Sequence, residues 1–254
     1  MTYYDRIAKN WHIATGYRGG SFKKHVLNDL LLQKMVSPAG QAILELGAGN
    51  GYFMRLALQR YSGQIPRRVV ISDNSAKLLA IAESNLPIDG AEYLELDVRS
   101  HYPFADESFD LVLATMVFNE LTDGGLRRAL RRCRRVLQPD GLLLVTVTHP
   151  DFIASLQQRD LLETNKEGLL TMPGANQLRL PIVPRSLRDY RNLLAKTGYN
   201  WQETSVYATD KVINEKPGLR HMRHKPLALI LECRKKQVGT NSARGASAPF
   251  RDRK

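Results

Sequence analysis

The chain has 254 residues, 43% of them hydrophobic, which is enough for one sizeable core and does not require a second full domain. No apolar run approaches the ~18–20 residues of a membrane span, and the first residues do not resemble a signal peptide, so we expect no membrane partner. The net charge of +12 would suit a nucleic-acid binder, but residues 234–254 carry half of it, with seven basic residues and one acid.

The first periodic segment runs from Ser21 to Met35. Its apolar residues recur at helical spacing and Ser21 is a suitable N-cap, so the pattern predicts a helix that packs on a sheet. Four basic residues lie before or near the start of this helix: Arg18, Lys23, Lys24 and His25. They could bind an acidic group of a substrate, or they could form a solvated face.

The segment Ala42–Phe53 predicts a buried parallel strand, a tight loop with three glycines and the start of a helix. Glycines permit positive φ and close approach of a ligand, and the helix amino terminus offers free N–H groups. A dinucleotide fingerprint would need its third glycine at position 52, where this chain has Tyr52. Glu45, just before the loop, would repel a pyrophosphate and suits a ligand with a cationic head.

Residues 45–51 resemble the Asp/Glu-x-Gly-x-Gly-x-Gly motif of the class I S-adenosylmethionine (SAM) dependent methyltransferases, in particular the methyltransferase-11-like group of small-molecule enzymes. The alternative is an ordinary strand-to-helix turn. The resemblance implies SAM as the cofactor. In this loop it implies five cofactor-binding residues: Glu45, Gly47, Ala48, Gly49 and Gly51.

Four later strands agree with this resemblance, which covers about residues 43–149. Val69–Asp73 and Ala91–Val98 both read as strands with an acid at or near the end, and residues 108–115 and 137–147 as the fourth and fifth strands, the latter after a Pro-Asp-Gly turn. By resemblance, Asp73 binds the ribose hydroxyls and Asp97 lies at the adenine amino group; Asp73 could instead be a plain helix cap. The remaining cofactor-binding residues are Asn74, Val98 and Thr115.

The resemblance also implies a fold: α/β, with a doubly wound, seven-stranded, mostly parallel sheet, a reversed last strand, a helical N-terminal lid and an insertion after strand five. We expect a single methyltransferase domain at 1–235, divided into lid and helix (1–36), SAM-binding core (37–149), substrate insertion (150–183) and last helix and strands (184–235). Residues 236–254 are expected to form a disordered basic tail.

Residues 3–11 resemble the Tyr-Asp-x-Ala-x-x-Tyr opening that forms part of a lid in small-molecule members of this family. Aromatic faces there would suit a sulfonium or an aromatic acceptor, or would pack a short helix onto the sheet. The candidate substrate residues are Tyr4, Trp11, Tyr17, Phe118, Asn119 and Phe152. His149 follows the fifth strand, where ligands bind in parallel sheets, and is the candidate catalytic base or a residue that only shapes the pocket.

Residues 126–137 contain six arginines around one apolar seam, which predicts a surface helix whose arginines serve solubility; an RNA-tracking face is the alternative. An RNA-modifying methyltransferase is the second function, but residues 115–120 lack the Asn/Asp-Pro-Pro-Tyr/Phe motif, so we expect no nucleic-acid partner. A SAM-binding subunit without turnover is the third. Cys133 and Cys233 show no metal-ligand spacing and indicate reduced thiols in a cytoplasmic protein, with no metal. The sequence is also compatible with a homodimer.

Overall fold

The computed structural model describes residues 1–17, 19–35, 37–85 and 89–237. The disordered tail expected at 236–254 lies, from residue 238 onward, outside the described residues. Within the described ranges no helix is both long and apolar enough to cross a membrane. The same ranges contain no cluster of three or more His, Cys, Asp or Glu side chains arranged to hold a metal ion.

In the described part of the chain, ten strands form two sheets. The strands are β1 (Ala42–Leu46), β2 (Arg68–Asp73), β3 (Glu92–Glu95), β4 (Phe109–Thr115), β5 (Leu137–Thr148), β6 (Glu163–Thr164), β7 (Leu170–Pro173), β8 (Arg179–Pro181), β9 (Tyr199–Tyr207) and β10 (Pro226–Lys235). The large sheet has the order β3-β2-β1-β4-β5-β10-β9, with β1 to β5 paired parallel and β10 antiparallel to both neighbours. The predicted seven-stranded, mostly parallel sheet with one reversed strand is therefore confirmed.

Helices cover both faces of the large sheet. They are α1 (Tyr3–Thr15), α2 (Gly20–Phe22), α3 (Asn28–Lys34), α4 (Tyr52–Arg60), α5 (Ala76–Asn85), α6 (Asp123–Val136), α7 (Pro150–Gln158), α8 (Leu187–Lys196) and α9 (Asp210–Glu215). Alternate strand residues point to opposite faces, so Leu44 packs with the α6 and α8 side and Ile43 with the α3 and α4 side. Burial on both faces explains the continuous apolar runs of the central strands.

The predicted helix over 21–35 is present but interrupted. A π-helical turn, Lys23–Leu27, separates α2 from α3, and the N-cap is Gly19 rather than Ser21. The Ser21 hydroxyl instead donates to Glu215 at the end of α9 (2.6 Å). Leu27, which ends the π turn, is fully buried against the sheet.

Two strand boundaries differ from the prediction. Strand β3 stops at Glu95, because the chain turns at Asp97, whose carbonyl accepts a hydrogen bond from Ser100 N–H (2.8 Å). The Pro-Asp-Gly segment does not precede β5 but forms an irregularity inside it, since the β4 partners jump from Leu137 to Leu142. Neither shift changes the sheet order.

The arginines of α6 divide into two groups. Leu126, Leu130 and Cys133 form the predicted buried seam. Three of the six arginines donate to backbone carbonyls of neighbouring loops rather than only to solvent: Arg132, Arg134 and Arg135. The solubility role therefore needs correction for these three, which are half-buried, whereas the others are exposed: Arg127, Arg128 and Arg131.

Candidate functional site

A cavity of about 960 Å³ lies beyond the carboxyl ends of β1, β2, β4 and β5. The strand order reverses between β1 and β4, which is the point where open parallel sheets bind ligands. Its floor includes Glu45, Asp73 and Thr115, and the cover includes residues of α1 and of the small sheet formed by β6, β7 and β8. The cavity therefore lies between the sheet and an added layer.

The loop between β1 and α4 takes its shape from its glycines. Gly47, Gly49 and Gly51 all have positive φ, between 60° and 72°. A side chain at Gly47 would lie 2.6 Å from Val117 Cγ2, and one at Gly49 would lie 3.1 Å from Trp11 Nε1. Because Gly47 and Gly49 have no side chains, Val117 and Trp11 can approach the backbone of the loop at the edge of the cavity.

Gly51 does not line the cavity, so its predicted role as a cofactor-binding residue needs correction. It is the N-cap of α4, and a side chain there would lie 3.1 Å from Ala82 of α5. Its missing side chain permits close packing of two helices and not approach of a ligand. Ala48, by contrast, lines the cavity as expected.

Asp73 joins two loops at the end of β2. Its Oδ2 accepts from Gly49 N–H (2.8 Å) and its Oδ1 from Ser75 N–H (2.9 Å). Burial raises the pKa of this carboxyl, and the two N–H donors oppose that rise. Ser75 in turn donates its hydroxyl to Asp5 of α1 (2.7 Å), which links the lid helix to the same loop. Asp73 therefore both lines the cavity and fixes its glycine loop.

Glu45 and Lys23 bring one acidic and one basic side chain to the cavity wall. Glu45 is buried, its Oε2 has no hydrogen-bond partner among the described residues, and burial together with Asp73 raises its pKa to about 8. The Lys23 ammonium lies over the rings of Tyr52 (5.4 Å) and Trp11 (6.0 Å), and burial lowers its pKa to about 8. An unsatisfied buried carboxylate is costly and indicates a missing donor.

Asp97 lies beyond β3 and is already engaged. Arg99 donates to it from Nη2 (2.6 Å) and from its backbone N–H (2.8 Å), and this guanidinium lowers the pKa of the Asp97 carboxyl. Leu96 and Val98 flank it with apolar surface. The structure brings these residues to the cavity together with Asn74 and Thr115, as the sequence predicted for cofactor-binding residues.

Four of the candidate substrate residues line the cavity and two do not. Those in the lining are Tyr4, Trp11, Asn119 and Phe152. The side-chain amide of Asn119 is engaged in structure, because Oδ1 accepts from Thr148 N–H (2.9 Å) and Nδ2 donates to Met116 O (3.0 Å). It therefore holds the ends of β4 and β5 together at the cavity wall.

Tyr17 and Phe118 need correction as substrate residues. Tyr17 is 60% exposed, outside the cavity, with Arg55 over its ring at 5.0 Å. Phe118 is 1% exposed and belongs to the core between the sheet and α6. The short 3₁₀ helix Phe118–Glu120 turns Phe118 inward and brings Glu120 to the cavity instead.

Glu120 is a residue that the sequence reasoning missed. It is half-buried in the cavity wall, and its Oε1 accepts a hydrogen bond from the hydroxyl of Tyr4 on α1. In the sequence, Glu120 is visible only as an acid two residues after Phe118, just beyond the fourth strand. Its partner is 116 residues away, so the pair itself is visible only in the fold.

His149 needs correction as a catalytic base. Its ring is 3% exposed and does not line the cavity. It is the N-cap of α7: Nδ1 accepts from Asp151 N–H (3.1 Å), and Nε2 lies 3.3 Å from Ser205 Oγ. Burial lowers the pKa of this imidazole. His149 thus joins β5, α7 and β9.

Replacing His149 with alanine is expected to lower the free energy of unfolding by about 0.5–2 kcal/mol, the usual cost of a lost N-cap. His149→Asn is the matched control, because asparagine is a preferred N-cap and keeps an acceptor for Asp151 N–H. Denaturant unfolding of both variants measures the difference. A loss of ligand binding by folded His149→Ala protein, with stability unchanged, would contradict this assignment.

Residues 44–145 match the family described as "Methyltransferase domain". The chain is 34% identical over 149 residues to the demethylmenaquinone methyltransferase of Thermotoga maritima (57% of this chain, 59% of the relative). It is 35% identical over 114 residues to malonyl-[acyl-carrier protein] O-methyltransferase 1 of Coxiella burnetii (45% of this chain, 36% of the relative). These matches thus span less than two thirds of each relative's length.

The fold also resembles solved structures. The S-adenosylmethionine dependent methyltransferase from Mesorhizobium loti superimposes with a TM-score of 0.60 at 23% identity, covering 81% of this chain and 96% of that structure. At this identity the likeness concerns the fold.

Proposed function

We propose that this chain is a class I methyltransferase that transfers a methyl group from SAM to an O, N or C atom of a small-molecule acceptor; the match of residues 44–145 to the methyltransferase domain family supports this proposal. The observation that carries the proposal is the cavity at the strand reversal, where Glu45, the glycine loop and Asp73 meet. The relatives named above support methyl transfer as the reaction.

The residues present fit the chemical groups of SAM. A cationic amino group suits buried Glu45, whose Oε2 has no partner among the described residues, and the Lys23 ammonium suits a carboxylate. A ribose diol suits the Asp73 carboxylate, and an adenine ring suits the apolar surface of Leu96 and Val98. Each polar part of the cofactor thus has a complementary group in the cavity.

SAM supplies a methyl group that its positively charged sulfur already activates. The protein therefore has to align the acceptor and exclude water, and positioning of this kind contributes roughly 7–11 kcal/mol. Trp11 and Tyr4 of α1 pack edge to face at 5.5 Å over the cavity, where their rings exclude water and offer π-faces to a cation.

The cover over the cavity favours a small molecule over RNA. Tyr3 of α1 donates its hydroxyl to the Arg179 carbonyl of β8, and Arg6 pairs with Glu167 in the turn between β6 and β7. The walls beneath are mainly apolar, formed by residues such as Phe152, Met172 and Leu180. A basic groove open to a polynucleotide would need a different arrangement.

Transfer of labelled methyl tests this proposal. The protein is incubated with methyl-labelled SAM and either the small-molecule extract or the total RNA of the source cell. We expect label in the small-molecule fraction. Label in RNA, falling steeply with salt and on changing Arg127, Arg128 and Arg131 to glutamine, would favour the RNA-modifying alternative. SAM binding without any transfer would favour a subunit without turnover.

The affinity for SAM is expected to rise with pH up to about pH 8. Because Glu45 has a pKa of about 8, it is largely protonated at neutral pH, and a bound ammonium favours its ionised form, so binding releases a proton. Calorimetry in buffers of different ionisation enthalpy measures that proton. Glu45→Gln should bind more weakly and show a smaller rise. An equal rise in both proteins would mean that another group titrates.

We also propose that the protein works in the cytoplasm. Both cysteines, Cys133 and Cys233, are free and buried, and burial raises their thiol pKa values. Neutral buried thiols of this kind suit a reducing compartment. Fractionation of the source cell, followed by detection of the protein, tests the location.

A further inference from the structure

We propose that Glu120 accepts the proton that the acceptor loses during methyl transfer, and that Tyr4 holds Glu120 in place for this step. The inference rests on the proposed function and adds the proton acceptor and the class of acceptor molecule. Glu120 lies outside the motifs by which the chain resembles the methyltransferase family, and the fold brings it to the cavity.

Glu120 lies in the wall of the cavity. It ends the 3₁₀ helix that follows β4, the strand that pairs with the central strand β1. Tyr4 of the lid helix α1 donates its hydroxyl to Glu120 Oε1. The Tyr4 ring is itself held edge to face between Tyr3 and Trp11, with centroids 5.5 Å from each. The carboxylate is therefore oriented by the lid helix.

The charged groups around Glu120 set its proton affinity near neutral pH. Burial raises the pKa of Glu120 to about 8, the Asp73 carboxylate also raises it, and the Tyr4 hydrogen bond and Arg99 lower it. Tyr3 faces the same carboxylate and its own pKa is raised by burial and by Glu120. A general base is most effective when its pKa lies near the working pH. A bound sulfonium would favour the ionised carboxylate further.

Most of the other carboxylates of the cavity wall have a partner or a different role. Asp73 accepts from two backbone N–H groups, Asp97 is paired with Arg99, and Glu167 is paired with Arg6. Glu45 is assigned above to the amino group of SAM, and Glu95 is an exposed residue at the end of β3. Glu120, in contrast, has a neutral phenol as its hydrogen-bond partner, so its negative charge is available to a proton.

The walls on the acceptor side define the class of molecule. They are mainly apolar and are contributed by α7, the small sheet and the segments before and within β10: Phe152, Met172, Leu180, Leu219 and Leu227. We infer an apolar acceptor with one weakly acidic hydroxyl, N–H or C–H group directed at Glu120. Its electron pair forms the new bond to the methyl carbon, its proton passes to a Glu120 carboxylate oxygen, and the electrons of the broken S–CH₃ bond stay on sulfur as a neutral thioether.

The test compares Glu120→Gln, Glu120→Asp and Tyr4→Phe with the wild type, using labelled SAM and the small-molecule extract. Glu120→Gln should lower turnover by about 10²–10⁴-fold and remove the rise of turnover with pH. Glu120→Asp should retain part of the rate. Tyr4→Phe should shift that rise to higher pH, because the hydrogen bond that lowers the pKa of Glu120 is lost. Glu83→Gln, an exposed acid on α5, is the matched control.

Two further measurements keep the outcomes separate. SAM affinity by calorimetry should stay within a few-fold in Glu120→Gln. Infrared spectra of the ligand-free wild type should show two protonated carboxyls that titrate at about pH 8, of which Glu120→Gln removes one and Glu45→Gln the other. Turnover by Glu120→Gln within tenfold of the wild type with an unchanged pH profile, or lost SAM affinity with turnover intact, would overturn the inference. A wild type that transfers no methyl would instead refute the proposed function.

Discussion

Asp73→Ala is expected to weaken the binding of SAM and of S-adenosylhomocysteine by about 1.5–3 kcal/mol each, the usual value of hydrogen bonds to a charged group. Two losses contribute. The carboxylate would no longer accept from the ribose hydroxyls, and Gly49 N–H and Ser75 N–H would lose the acceptor that positions their loops. Isothermal titration calorimetry with both ligands measures the change.

Asp73→Asn separates these two effects. The amide keeps one oxygen acceptor and the side-chain shape, so the loop geometry is retained better, but the charge is lost. We expect an affinity between those of the wild type and Asp73→Ala. If Asp73→Ala binds both ligands with wild-type affinity, Asp73 is only a helix cap and loop anchor.

Phe118→Ala is expected to lower the free energy of unfolding by about 3–5 kcal/mol, because a fully buried ring is removed from the core between the sheet and α6. The affinity of the folded protein for SAM should stay nearly unchanged. Denaturant unfolding measures the first quantity and calorimetry well below the unfolding transition measures the second.

Phe152→Ala is the matched control for Phe118→Ala. Phe152 lines the cavity and is half-buried, so its removal should cost clearly less stability and act mainly on turnover with the acceptor. A small stability loss in Phe118→Ala together with lost turnover would restore Phe118 as a substrate residue and would contradict its place in the core.

The sequence predicted those parts of the molecule in which a local pattern determines the outcome. Glu45, the glycine loop and Asp73 lie close together along two strands whose carboxyl ends must meet in a parallel sheet, so their convergence follows from the strand pattern. The positive φ values of Gly47 and Gly49 likewise follow from residue type and spacing.

The sequence did not predict those features of the site that depend on the direction in which a side chain points. Phe118 and Glu120 are two residues apart in a short 3₁₀ helix, and only the backbone turn there decides that one enters the core and the other the cavity. His149 was placed correctly at the end of β5, but its ring turns back to cap α7. Partners distant in sequence, such as Tyr4 for Glu120, have no local signal at all.

The central claim is that the cavity at the strand reversal binds SAM, and calorimetric titration of the full chain with SAM, S-adenosylhomocysteine and NAD tests it most directly. We expect SAM and S-adenosylhomocysteine to bind at one site per chain, and NAD to produce no binding heat, because Tyr52 stands where the dinucleotide fingerprint needs its third glycine. Tight binding of NAD with no response to SAM would contradict the claim.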